Sequence, residues 1–170
     1  MRVDVARLAI QTRSMSQPHL FRCQLTWTGA ASGATKSYDS YSRDFRVDVE
    51  GKPSLLGSAA GIYRGDNSRM NPEDLLVASL SSCHFLSYLS LCARAGVEVV
   101  DYKDQAEGTM QIKDGAMRFT EVVLRPEVLL APDADVAKAE ALHERAHHDC
   151  FIANSVNFPV RHQASVKVRG

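Results

Sequence analysis

The stretch Asn71-Pro-Glu-Asp-Leu-Leu-Val-Ala-Ser-Leu-Ser-Ser-Cys-His84 decides how this chain is read. Asn71 is of the type that caps free helix amides, and Pro72 suits the first helical position. Glu73 and Asp74 put negative charge at the positive end of the helix dipole. Leu75 to Ala93 then carries no Asp, Glu, Lys or Arg, and Gly96 supplies the stop. This run is marginal for a bilayer core of about 30 Å, and it contains several serines, His84 and Tyr88. A helix buried in a protein core is the better expectation. Ser81 and Ser82 form a candidate break, which would set Cys83 on free backbone amides.

Working outward, Val97 to Ile112 and Met117 to Leu130 read as two strands joined by a Lys113-Asp114-Gly115 turn. Pro132-Asp133 is expected to open a second helix that runs to about Asp149. Asn157 to Val168 closes the chain as a strand, with Val160, His162, Ala164, Val166 and Val168 on one side. Upstream, Phe21 to Thr28 alternates as a strand and Gly29 to Gly33 breaks it. Tyr38 to Val49 reads as extended. A long loop then runs from Gly51 to Arg69, and loops of that length tend to serve sites. Residues 1–14 are unlike the rest of the chain and are expected to be a disordered N-terminal extension, with 15–170 as a single domain. Strands, helix, hairpin, helix and strand in this order give an α+β fold, with helices packed against antiparallel sheet.

The 170 residues include 20 Lys and Arg against 20 Asp and Glu. A balanced charge argues against a nucleic-acid surface and gives no pull toward an anionic membrane. The four cysteines, Cys23, Cys83, Cys92 and Cys150, include no Cys-x-x-Cys pair. Neither a zinc ribbon nor a small secreted disulfide scaffold fits. The first 14 residues lack the apolar core of a signal peptide, so the cytoplasm is the default expectation.

Cys83 has two readings. The plain one is a buried core thiol. The chemical one is a reactive thiolate, which needs a cation or helix amides beside it. Cys92 lies nine residues on, about two and a half turns, and faces the opposite side of a continuous helix. Cys92 and Cys23 are expected to be core thiols. Cys150 sits in His147-His148-Asp149-Cys150-Phe151-Ile-Ala-Asn154. His143 and His147, spaced i and i+4, join His148 and Cys150 in a possible metal set, although no His-Glu-x-x-His motif accompanies them. There is no Gly-x-Ser-x-Gly elbow and no phosphate-loop pattern.

The Asn-Pro-Glu opening, the small-residue helix and a cysteine ten residues after the Glu together resemble the OsmC/Ohr family. Glu73 and Cys83 keep that spacing. Cys150 followed by Phe-Ile-Ala-Asn-Ser, and Arg43 in Tyr41-Ser-Arg43-Asp44, extend the resemblance over about residues 20 to 168.

The resemblance implies a hydroperoxide reductase without cofactor. Cys83 would be the peroxidatic nucleophile and Cys150 the resolving thiol. Arg43 would support the thiolate and be held by Glu73. Arg46, Arg64 and Arg69 are rivals for the arginine role. The resemblance also implies an intertwined homodimer with interfacial sites, and a dithiol reductant such as a lipoylated protein. His84 is a candidate accessory base. Organic peroxides are favoured if an apolar pocket surrounds Cys83, and Phe85, Leu86, Phe151 and Ile152 are the candidates to line it.

On a straight helix ten residues advance about 15 Å, so Glu73 could not approach Cys83. Either the helix breaks between them or the Arg–Glu pair acts across a dimer interface. The Ser-Ser-Cys-His context and the 51–70 loop depart from the better-known branches and leave the substrate open. A redox sensor or small-ligand binding protein is the other function class. Its mark would be thiols too far apart to bridge.

Overall fold

A computed structural model describes residues 18–170. The expected extension over 1–14 lies outside the described residues. The chain divides into two compact units, one ending at Arg69 and the other spanning Met70–Gly170.

The first unit is a three-stranded antiparallel sheet of β1 (Gln24–Trp27), β2 (Phe45–Asp48) and β3 (Leu55–Gly57), in that order. Both extended regions expected from the sequence are therefore present, each trimmed to four residues. Cys23 precedes β1 and is exposed, not a core thiol. The reason is that β1 is an edge strand with little packed against it, as Leu25 at 63 % exposure shows.

The long loop is more structured than expected. It contains β3 and a 3-10 turn at Gly61–Tyr63. The buried Ser58 hydroxyl accepts the Asp66 N–H, and Asn67 Oδ1 accepts the Gly61 N–H at 2.7 Å. Gly65 packs so closely that a Cβ there would lie 1.6 Å from the Ala59 carbonyl oxygen. Only glycine fits.

The second unit opens with α1 (Pro72–Ala95). Its cap forms as the sequence implies. Asn71 Oδ1 accepts the Asp74 N–H at 2.7 Å, and Asp74 returns the bond from the Asn71 N–H at 3.3 Å. Gly96, at φ 71°, ends it.

The expected break at Ser81-Ser82 does not occur. The Ser81 hydroxyl donates to Asp104 Oδ2 at 2.5 Å, and that of Ser82 to the Ser79 carbonyl at 3.2 Å. Both serines satisfy themselves without opening the helix. The expectation of a fully buried helix holds on one side only. Leu80, His84, Tyr88 and Cys92, each four residues apart, form the buried stripe. Ala78, Ser82, Leu86, Ser90 and Ala93 are exposed.

Each of the two long strands expected after α1 is in fact two. β4 (Val99–Asp104) is followed by β5 (Glu107–Lys113), and β6 (Ala116–Leu124) by β7 (Pro126–Leu130). The corner is held by Asp104, whose Oδ1 takes the Arg125 N–H at 2.7 Å in place of a ladder bond. The expected turn at Asp114-Gly115 does join β5 to β6, with both residues at positive φ (53° and 78°).

The second helix, α2 (Val136–Asp149), starts later than Pro132-Asp133 because Asp135 is the residue that caps it. The closing segment also divides, into β8 (Val160–His162) and β9 (Ser165–Val168). These strands enter different sheets, ordered β5-β6-β8 and β4-β7-β9. Both pair in parallel, β8 with β6 and β9 with β7, so the sheets are mixed and not purely antiparallel.

Two apolar clusters form the core of this unit. One gathers Tyr88, Cys92, Val97, Val128, Leu130, Ala139 and Ala146, and the other Leu80, Val122, Leu124 and Val160. On the buried stripe of α1, His84 stands between Leu80 of one cluster and Tyr88 of the other.

Candidate active site: a thiol pair on two packed helices

Cys83 lies on the middle of α1, and Cys150 caps the C-terminus of α2. The two helices pack on each other. The Cys83 side chain is near enough to Cys150 to act on its thiol, and both cysteines are free.

The two sulfurs differ in environment. Cys83 is half-buried, while Cys150 is only 1 % exposed. Burial, then the contact with the Cys83 thiol, pushes the Cys150 thiol up to about 11. The backbone N–H of Ala153, which donates to the sulfur at 3.4 Å, works the other way. A half-buried thiol against a buried one is the arrangement in which the first can meet a substrate and the second can only meet the first. Cys92, by contrast, is in the apolar core beside Tyr88, as its place on the helix requires.

Glu73 occupies the first turn of α1, and its Oε2 is buried without a hydrogen-bond partner among the described residues. The continuous helix leaves it ten residues from Cys83. A role for Glu73 at Cys83 through a helix break is therefore overturned.

Arg43 belongs to the first unit. Its guanidinium donates to the Tyr38 carbonyl at 2.6 Å and the Tyr41 carbonyl at 2.9 Å. It also lies over both rings, 4.8 Å and 4.3 Å from their centroids. The three rival arginines are all paired with carboxylates. Arg46 bonds Asp48, Arg64 bonds Asp39, and Arg69 bonds Asp66 and Asp44. Of these four arginines, Arg43 alone has no carboxylate partner among the described residues.

The metal set that the histidine spacing allowed does not assemble. His143 turns inward to His84, while the His148 side chain is 81 % exposed and bonds Asp149. Among the described residues no group of three or more His, Cys, Asp and Glu side chains is placed to hold a metal ion.

The expected pocket is also incomplete. Phe85 packs on Tyr102, with ring centroids 4.8 Å apart, and Ile152 joins the second core cluster. Leu86 and Phe151, however, are 64 % and 77 % exposed.

One feature escaped the sequence reading. His84, His143 and His162 cluster, with ring centroids between 5.3 and 5.8 Å apart. His84 and His143 are both 1 % exposed, and His84 Nε2 lies 3.0 Å from His143 Nδ1. The signal was present, because His84 falls on the Leu80, Tyr88, Cys92 stripe and His162 alternates with Val160.

Comparison with known proteins agrees with this fold. A solved OsmC-like protein of unknown function from Vibrio cholerae O1 is similar at 32 % identity and a TM-score of 0.81, covering 87 % of this chain and 100 % of that one. The uncharacterized protein YmaD of Bacillus subtilis is 29 % identical over 111 residues, which span 62 % of this chain and 74 % of YmaD. The organic hydroperoxide resistance protein OhrB of Bacillus subtilis has a similar fold, with a TM-score of 0.58 at 19 % identity, covering 88 % of this chain and 100 % of that one. The family model described as OsmC-like protein matches residues 65–165, more than half of the sequence, and the chain belongs to that family.

Proposed function

We propose that this chain is a thiol peroxidase that reduces organic hydroperoxides with Cys83 and is reset through Cys150. The observation that carries the reading is the contact between a half-buried and a buried thiol. The alternative of a ligand-binding protein leaves that contact without a purpose.

In the first step the Cys83 thiolate attacks a peroxide oxygen. An S–O bond forms, the O–O bond breaks, and the alkoxide takes a proton and leaves as the alcohol. In the second step the Cys150 sulfur attacks the Cys83 sulfenic acid. The S–S bond forms, the S–O bond breaks, and hydroxide leaves with the Cys150 proton as water. An external dithiol then exchanges with the disulfide, is itself oxidised, and restores both thiols. A lipoylated protein in the cytoplasm has the chemistry for this reductant.

Arg43 and Glu73 are the proposed pair that supports the Cys83 thiolate. Among the described residues, Arg43 has no carboxylate partner and Glu73 Oε2 has no donor. A homodimer is part of the proposal. Its support is the uncovered side of α1 and the exposed Leu25, Leu56 and Ile62 of the first unit.

The test is peroxide consumption by purified protein with a dithiol, using cumene hydroperoxide, tert-butyl hydroperoxide and hydrogen peroxide. Cys83→Ser is expected to abolish turnover. Without the dithiol, Cys150→Ser is expected to consume one equivalent of peroxide and keep a sulfenic acid on Cys83, where the unsubstituted protein forms the Cys83–Cys150 disulfide. Absence of turnover in the unsubstituted protein, with both thiols still reduced, would discard the enzyme reading.

A further inference from the structure

Two buried imidazoles join the helices that carry the two thiols. His84 follows Cys83 on α1, and His143 lies seven residues before Cys150 on α2, about two helical turns. Their rings are within 6° of coplanar, with centroids 5.3 Å apart and the Nε2 of His84 3.0 Å from the Nδ1 of His143. The centroid separation exceeds the N···N distance by about the radii of the two rings. The two nitrogens therefore point straight at each other, as in an N–H···N hydrogen bond. A metal held between them in line would need about 4 Å.

The pair is also clamped from the side. The Tyr88 ring lies on His143 with centroids 3.9 Å apart and planes within 8°. The His162 ring of β8 lies 5.6 Å from that of His84 and 5.8 Å from that of His143.

Apolar contacts between helices tolerate sliding, whereas a hydrogen bond in a dry interior does not. His84 Nδ1 and His143 Nε2 are already buried without a partner among the described residues, so a shift that breaks this bond leaves all four ring nitrogens unsatisfied. We propose that His84 and His143 are positioning residues, whose hydrogen bond fixes the register of α1 against α2 and so keeps the Cys83 and Cys150 sulfurs within bonding reach. The purpose of that register rests on the peroxidase reading; the register itself does not.

The test is the equilibrium between the Cys83–Cys150 disulfide and the two thiols in mixtures of oxidised and reduced dithiothreitol, read by alkylation and mass spectrometry. No peroxide is involved, so it is independent of enzyme activity. His143→Leu is expected to shift the equilibrium about tenfold toward the thiols. His143→Asn places an amide near the Nδ1 position, and His84→Gln places one near Nε2. Each is expected to stay within about threefold of the unsubstituted protein.

An unchanged equilibrium in His143→Leu would overturn the proposal, as would His143→Asn behaving like His143→Leu. If His143→Leu does not fold, as judged by circular dichroism, the double variant His84→Gln/His143→Asn decides. An equilibrium near that of the unsubstituted protein supports the clamp, and a tenfold loss overturns it. Failure of the unsubstituted protein to consume peroxide would remove the peroxidase reading and leave this measurement intact.

Discussion

Glu73 and Cys83 stand on one unbroken helix, with ten residues and about 15 Å of rise between them. Side chains on a helix tilt toward its N-terminus, so Glu73 leans away from the thiol. Support of Cys83 by Glu73 therefore has to pass through another group. In the proposal that group is Arg43, acting across a dimer. Arg43→Ala and Glu73→Ala are each expected to lower the second-order rate of Cys83 with cumene hydroperoxide by at least about tenfold. The double variant should lose little more, because the two act as one unit. Stopped-flow measurement of the four proteins completes the cycle. Simple multiplication of the two losses would separate Arg43 from Glu73.

The dimer is tested on the exposed side of α1. Leu86 is 64 % exposed and sits mid-way along the line of Ala78, Ser82, Leu86, Ser90 and Ala93. A charge there is harmless to the monomer, within about 0.5 kcal/mol, but is buried without a partner if a second copy covers it. Leu86→Glu is expected to turn a dimer into a monomer in sedimentation velocity, with an unchanged far-ultraviolet spectrum. A monomeric unsubstituted protein would remove the interface and the role of Glu73 with it.

The cap of α1 has a separate cost. Asn71→Ala removes the side-chain half of the reciprocal bond with Asp74, the acceptor of the Asp74 N–H, and leaves the backbone half in place. The expected destabilisation is about 1 kcal/mol, or a fall in Tm of about 2–4 °C. Asn71→Asp should behave nearly as the unsubstituted protein, since its carboxylate accepts the same amide. Calorimetry of the two variants distinguishes the cap from general sensitivity at this position.

How far the sequence could be read depends on the range over which each feature is determined. The start of α1 was legible because Asn71, Pro72, Glu73 and Asp74 act within one turn. The turn at Asp114-Gly115 was legible for the same reason. The serines misled, because Ser81 finds its partner in Asp104, 23 residues away. Local pattern cannot show such a partner. The sheet pairing was hidden similarly, since β8 and β9 pair with strands distant in sequence. Of the site, the Cys83–Cys150 pair came from the family resemblance and not from spacing. The His84–His143 pair needed the packing of α1 on α2 to be seen; by local pattern its members read only as an accessory base and a metal ligand.

That histidine pair gives the fold an acid limit. Burial, then the charges of His162 and His147, holds His84 down to about 4 from its ordinary 6.5. Burial, then the charges of His84 and His162, holds His143 down to about 3. In the unfolded chain both rings take up protons near pH 6.5, while in the folded chain they remain neutral until pH 4 or below. Between these values the unfolded state binds more protons, so stability rises with pH. The contribution is fully present above about pH 7 and is lost progressively as the pH falls from about 6.5 toward 4. The carboxylates of Asp48, Asp66 and Asp149 are held below their ordinary 3.8, chiefly by hydrogen bonds from Ser54, Ser68 and His148 respectively. Their contribution is lost only at lower pH, which separates the two windows. Urea midpoints at pH 7.5, 6, 5 and 4.5 are expected to fall steadily, and those of His84→Gln/His143→Asn to fall much less, because its amides take up no proton. An equally steep fall in the double variant would place the acid sensitivity elsewhere.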